Sequence, residues 1–233
     1  MLKKKIANIV NLQSAFNSNV NPQWAQAEYK WSTAILVEAT ELISSFSWKW
    51  WKAEKDDIAN AKMEVVDILH FVISECLVTL GDNPSGRNQL TNFLVDHLDC
   101  AHGDATYDNF ECASAQYIEL VKHFIGYYMG VSGYGGTVNS YSAPALVRAY
   151  CNFLVKPLFS STDELLNLYL AKNVLNKLRQ AHGYRTGEYI KMWGTKEDNT
   201  VVMELLEQNL EVSFTELYAM VKYPRPRGSG RNG

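Results

Sequence analysis

Four carboxylates have the spacing that divalent-cation chemistry needs. Glu38 and Glu41 stand three residues apart, and so do Glu64 and Asp67. On a helix, side chains at that spacing lie about 60° apart, so each pair shares a face. The 22 residues between Glu41 and Glu64 let one helix end, the chain turn and a second helix begin. An antiparallel hairpin could then gather all four acids. The second pair sits in MEVVDILHFVIS, where Val65, Val66, Ile68, Leu69, Phe71, Val72 and Ile73 make the helix apolar nearly all round. Such a helix is expected to be buried. A buried carboxylate without a partner is costly or takes up a proton, and four together repel one another. A hard cation removes both problems, and an all-oxygen donor set favours Mg²⁺ or Mn²⁺ over Zn²⁺. The competing reading, surface acids paired with lysines along a helix, suits either pair alone but not a pair embedded in apolar sequence.

A basic face follows near the C-terminal end. Lys172, Asn176 and Arg179 recur at i, i+4 and i+7 and fall within about 60° of one another on a helix, with Tyr169 at their border. After them comes AHGYRTGEYIKMWGTKEDN (181–199), too long and too aromatic for a plain turn, carrying Tyr184, Arg185, Lys191 and Lys196. Lysines and arginines of this kind hold polyphosphates. No P-loop and no Rossmann glycine fingerprint occurs, so a nucleotide would be held by another design. Trp48, Trp50 and Trp51 abut the acidic hairpin, where one indole could line a base pocket, although core or interface is the commoner use of such a cluster. Gln13 and Asn17, at i and i+4, carry amides suited to the edge of a uracil. His70 lies one turn beyond Asp67, where a satisfied core histidine and a pocket-lining one are equally expected.

These residues must be positioned by helices. Strict alternation is scarce, and helical periodicity predicts helices at about 4–17, 25–46, 58–80, 87–101, 111–130, 141–156, 162–181 and 200–220. The segments 81–86 and Gly130–Gly136 read as breaks. Ser161 with Glu164 resembles a capping box, and Gly183 is placed to end the helix that follows. The tail 224–233 reads as disordered. The fold class expected is all-α.

Composition sets limits. The 233 residues are 47% hydrophobic and 20% charged, which supports a sizeable core. The net charge of −3 argues against nucleic acid as a partner. Four cysteines without a C-x-x-C pair suggest a reduced, cytoplasmic chain rather than a disulfide framework or a zinc site. The N-terminal MLKKKIANIVNLQ is not expected to be a signal peptide, and no run is long and apolar enough for a membrane span.

Taken together, E-x-x-E-L-x-x-S-x-x-W-K-W-W-K (38–52), N-x-K-x-E-x-x-D-I-x-H-F (60–71) and K-N-x-L-N-x-x-R-Q-x-x-G-Y-x-x-G-x-Y-x-K-x-W-x-x-K-E-D-N (172–199) resemble the dimeric, all-α dUTPase/dCTPase family of MazG-type nucleotide pyrophosphohydrolases. The resemblance implies a helical bundle of the all-α NTP pyrophosphohydrolase type. It implies one domain over 1–223 with a variable helical insertion at 85–160, for which no motif matches. It implies that Glu38, Glu41, Glu64 and Asp67 bind two or three Mg²⁺ ions, and that Lys172, Arg179, Tyr184 and Lys191 contact phosphates. Asn176 would hold the deoxyribose, and Gln13, Asn17, Trp48 and His70 the uracil. Asn199 would help order the 183–199 loop over the substrate. The expected activity is hydrolysis of dUTP to dUMP and pyrophosphate by a homodimer. Glu41, in preference to Glu38, would orient or deprotonate the water, and the family analogy leans towards attack at the β-phosphorus. dUDP or dCTP remains open as a substrate. The rival readings are a related pyrophosphohydrolase with another base preference and a non-catalytic helical module that binds nucleotide.

Overall fold

The structure is a computed structural model, and it describes residues 1–98, 110–132, 142–208, 212–213, 215 and 217–219. Its helices are α1 (Leu2–Val20), α2 (Trp31–Ser44), α3 (Ile58–Leu80), α4 (Pro84–Leu98), α5 (Phe110–Ser132), α6 (Ala143–Tyr150), α7 (Thr162–Ala181) and α8 (Asp198–Glu207). A 3-10 turn at Trp24–Gln26 precedes α2, and a π-helical turn at Cys151–Val155 continues α6. The strands are the two-residue β1 (Met192–Trp193) and β2 (Lys196–Glu197), an antiparallel pair inside the segment read from sequence as a loop. The fold class is all-α, as expected. The end of the helix expected at 87–101, much of the Gly130–Gly136 break, residues 209–211, 214, 216 and 220 of the helix expected at 200–220 and the 224–233 tail lie outside the described residues. The 200–220 helix is not continuous, because α8 ends at Glu207 and Val212 and Ser213 are not helical.

The chain divides into two units, Met1–Tyr169 and Leu170–Gly233, with the division falling inside α7. In the first, α3 is the central element and packs against α1, α2, α4 and α6. Its apolar sequence explains the position. Met63, Val65, Val66, Ile68, Leu69, Val72, Ile73, Cys76 and Leu77 are all fully buried, each large aliphatic contributing about 1.5–3 kcal/mol. Asp57 starts the helix by accepting from the Asn60 backbone N–H at 2.9 Å. Opposite it, α2 buries the stripe Ile35, Ala39 and Leu42. The two helices run antiparallel: Trp31 meets Phe71 at one end, and Asn60 donates to Ser45 at the other.

The helix expected at 25–46 is broken. After the 3-10 turn the chain passes through Glu28 in the left-handed region (φ 47°) and restarts at Trp31. No glycine marks this break. Trp31 makes edge-to-face contacts with Trp24 (6.2 Å) and Tyr29 (5.5 Å), and this aromatic packing overrides local helical propensity.

The start of α7 also differs in detail from the capping box. Ser161 Oγ accepts from the Glu164 backbone N–H at 3.1 Å, but the Glu164 carboxylate turns to the N–H and hydroxyl of Ser160 and to Lys62. At the far end Gly183 (φ +80°) completes a Schellman turn, with its N–H on the Gln180 carbonyl and the Tyr184 N–H on the Arg179 carbonyl. A Cβ at Gly183 would approach Glu188 Cβ to 2.9 Å. Gly183→Ala is therefore expected to lose about 1–2 kcal/mol. A thermal melt checks this, with Gly187→Ala, where the added Cβ meets open space, as the comparison.

Candidate metal and nucleotide site

The antiparallel hairpin brings the acids together. One oxygen from each of Glu38, Glu41 and Glu64 lies within 4.8 Å of the others. Asp67, one turn beyond Glu64, is close enough for its charge to act on Glu38. Burial is graded: Glu64 is 6% exposed, Glu38 and Asp67 are half-buried, and Glu41 is exposed. The expectation of a wholly buried quartet thus gives way to a rim, with Glu41 nearest solvent. The cause is rotational position. Glu41 falls on the side of α2 away from the Ile35–Ala39–Leu42 stripe.

The four acids act on one another's charge. Burial, then the charges of Asp67 and Glu64, a hydrogen bond with Glu64 and the charge of Glu41 push the Glu38 carboxyl up to about 8. Such a group holds its proton at neutral pH unless a cation replaces it. The donor set is all oxygen, and ligands at about 2.1 Å from one Mg²⁺ stand about 3–4 Å apart. The three oxygens can close to that spacing by small rotamer changes, so the residues present fit a hard divalent cation.

Two turns further along α3, a second group forms. Gln13 and Asn17 of α1 meet Ser74, and Tyr169 reaches Gln13. His70 lies between this group and the acids. Its Nδ1 is 2.8 Å from the Val66 carbonyl, and its ring stacks on Tyr169 at 4.1 Å and 11°. A carbonyl only accepts, so Nδ1 carries a proton and donates it to Val66. Trp48 is not brought to this group. It is 43% exposed in the α2–α3 loop, against Trp51 and below the Lys49 ammonium. From Asn60, beside that loop, α3 climbs about 21 Å to Ser74. A separate cavity of about 570 Å³ opens between Trp24, Glu28, Tyr29, Trp31 and Glu75, and none of the four acids lines it.

In the second unit, the basic residues also converge. Lys172 donates to Asn199 Oδ1 at 2.9 Å, and Arg179 donates to the same oxygen at 3.2 Å. Arg179 makes a two-pronged pair with Asp198, at 2.9 and 2.8 Å, and reaches Asn176 at 3.5 Å. Tyr184 lies 5.6 Å below the Arg179 guanidinium and 6.0 Å below the Lys191 ammonium. Lys172, Asn176, Arg179, Tyr184, Lys191 and Asn199 thus form one cluster, anchored by a residue to which the sequence reading gave no role. Asp198 is fully buried and also accepts from the Tyr189 hydroxyl at 2.8 Å. Its signal was present in K-E-D-N, an acid beside Asn199 in a basic stretch. Ser74 was missed because a lone serine in an apolar helix carries no chemical signature.

A helical hairpin that gathers carboxylates into one oxygen cluster, with no glycine-rich phosphate loop in the sequence, marks an all-α protein with a candidate cation site. Residues 5–184 match the family described as dUTPase, well over half of the 233, and the chain belongs to that family. It is accordingly a nucleotide pyrophosphohydrolase with a nucleotide as its substrate class. The matched span contains the four acids, Gln13, Asn17, His70 and the helical basic face, while Lys191 and Asn199 lie beyond it. No curated protein matches the chain. Among the described residues no helix is long and apolar enough to cross a membrane.

Proposed function

We propose that this protein is a dUTP diphosphatase that hydrolyses dUTP to dUMP and pyrophosphate with Mg²⁺ held by Glu38, Glu41, Glu64 and Asp67. The observation that carries the reading is the oxygen cluster of Glu38, Glu41 and Glu64, inside a chain segment that matches the dUTPase family. Bound Mg²⁺, two or three ions per site, would polarise phosphate oxygens and lower the pKa of a water. Glu41, the acid most open to solvent, is the residue to orient that water and take its proton, in preference to the half-buried Glu38. Lys172, Arg179 and Lys191 supply positive charge for the phosphates, and Tyr184 supports the two outer cations. Asn176 holds the deoxyribose, Gln13, Asn17 and His70 serve the uracil, and Asn199 orders the loop that follows the basic helix; Trp48, exposed in the α2–α3 loop, is left out of the uracil group. The enzyme acts as a homodimer in the cytoplasm.

The test is incubation of the full chain with each deoxynucleoside triphosphate and Mg²⁺, followed by product identification. dUMP and pyrophosphate from dUTP are expected, with turnover abolished by EDTA and restored by excess Mg²⁺. Faster release of dCMP from dCTP would transfer the reading to a related base preference. Nucleotide-dependent thermal stabilisation without any product would leave a binding module.

A further inference from the structure

We infer that Ser74 is a positioning residue for base selection: it fixes which way the Gln13 and Asn17 amides face. The inference rests on the proposal that these amides read a pyrimidine. Donors and acceptors in the group can be counted without ambiguity. The His70 backbone carbonyl can only accept, and Ser74 Oγ lies 2.7 Å from it, so the single hydroxyl proton of Ser74 is committed there. The lone pairs of Ser74 Oγ must then receive N–H donors. Gln13 Nε2 stands at 3.1 Å and Asn17 Nδ2 at 2.9 Å. Gln13 gives its second N–H to Asn17 Oδ1 at 2.9 Å, and the Tyr169 hydroxyl donates to Gln13 Oε1 at 2.8 Å. Burial holds the Tyr169 phenol protonated, well above its ordinary range, so it stays a donor.

Every member is buried: Ser74 and Tyr169 fully, Gln13 to 3% and Asn17 to 7% exposure. Turning either amide over would set an N–H against an N–H, or an oxygen against the lone pairs of Ser74, in a water-poor interior. That penalty is a buried polar group left without a partner. One backbone carbonyl therefore dictates both amide orientations through one serine. What remains for a ligand is fixed as well. Asn17 keeps one N–H and one Oδ1 lone pair, and Gln13 keeps only an acceptor position.

The consequence is discrimination. The pairing edge of uracil offers an acceptor at O4 and a donor at N3; that of cytosine offers a donor at N4 and an acceptor at N3. The two edges are complementary to opposite orientations of a single amide. An amide free to turn over reads both, while one that is locked reads one. A site that hydrogen-bonds its ligand rejects the mismatched analogue because buried groups are left unpaired.

The experiment uses the full chain with dUMP and dCMP as probes. Their affinities are measured by calorimetry for the parent, Ser74→Ala, Ser74→Thr and Tyr169→Phe, and dUTP turnover is assayed in parallel. In Ser74→Ala the dUMP-to-dCMP affinity ratio is expected to fall on the order of tenfold. Ser74→Thr, which keeps a hydroxyl, retains the parental ratio, and Tyr169→Phe shows a smaller fall. The ratio is the readout because a merely structural loss weakens both nucleotides alike. If Ser74→Ala does not fold, the inference stands or falls on the ratio in Tyr169→Phe. An unchanged ratio in Ser74→Ala, or equal binding of both nucleotides by the parent, overturns the inference. Absence of dUTP turnover with a selective parent sinks the diphosphatase proposal and leaves the amide assignment standing, so the two failures are told apart.

Discussion

Glu64→Gln is expected to cut Mg²⁺-dependent turnover of dUTP by at least about a thousandfold, roughly 4 kcal/mol of transition-state stabilisation. Glu64 is the most buried of the four acids and the one hydrogen-bonded to Glu38. An amide of the same shape fills its place without its charge, so packing around Met63, Val65 and Val66 is undisturbed. The stability result should run opposite to activity. In EDTA the variant loses one of the charges that raise Glu38, repulsion within the cluster falls, and the melting temperature is equal to or above that of the parent. With saturating Mg²⁺ the parent gains stability by mass action and the variant gains little. Steady-state kinetics and melts with and without EDTA make the check. Turnover within a few fold of the parent would refute the ligand assignment.

Asp198→Ala should be the most damaging substitution for the fold of the second unit. Asp198 is fully buried, Arg179 is 7% exposed, and the two make a two-pronged pair. Removing the carboxylate takes the counter-charge from a buried guanidinium that keeps only neutral partners in Asn176, Asn199 and Tyr184 among its described contacts, which costs about 3–5 kcal/mol. For a chain of this size that lowers the melting temperature on the order of 10 °C. The pair also has a pH signature. Burial works to raise the Asp198 carboxyl, but hydrogen bonds and charge from Arg179, with the Tyr189 hydroxyl, hold it below the usual carboxylate range. A depressed carboxyl stabilises the fold above its unfolded value, and that stability is lost as pH falls through the depressed one. The parent should therefore show an acid-side loss of stability below the ordinary Asp range that Asp198→Ala lacks. Melts across the acid range test both statements. An unchanged melting temperature would mean that Arg179 has no structural need of Asp198.

The parts legible in the sequence are those where one segment carries its own constraint. α3 is apolar on nearly every side, so its burial followed from composition, and its bounds from helical periodicity and the break at 81–86. The paired spacing of Glu38/Glu41 and Glu64/Asp67 needed only helical geometry and a hairpin to become a cluster. The break at Glu28 was not legible, because its cause is ring packing between Trp24, Tyr29 and Trp31 rather than a glycine or proline. The graded exposure of the acids depends on where each falls around its helix relative to neighbours that only tertiary structure supplies. Ser74 and Asp198 acquire roles from partners far away in sequence, Gln13 and Asn17 in one case and Arg179 in the other. Trp48 shows the reverse: nearness in sequence to the acids did not carry it to His70.

α3 carries both the Glu64–Asp67 pair and Ser74, and the seven residues from Asp67 to Ser74 amount to about 10 Å along its axis. The helix is therefore a ruler with two marks. A one-residue deletion between Asp67 and Ser74 would move the marks closer by only about 1.5 Å but swing them about 100° out of line. Changes in the length of the α2–α3 loop leave that calibration untouched. Indels should thus be tolerated between residues 47 and 56 and forbidden between 67 and 74, a length rule that any working sequence built on this hairpin must obey.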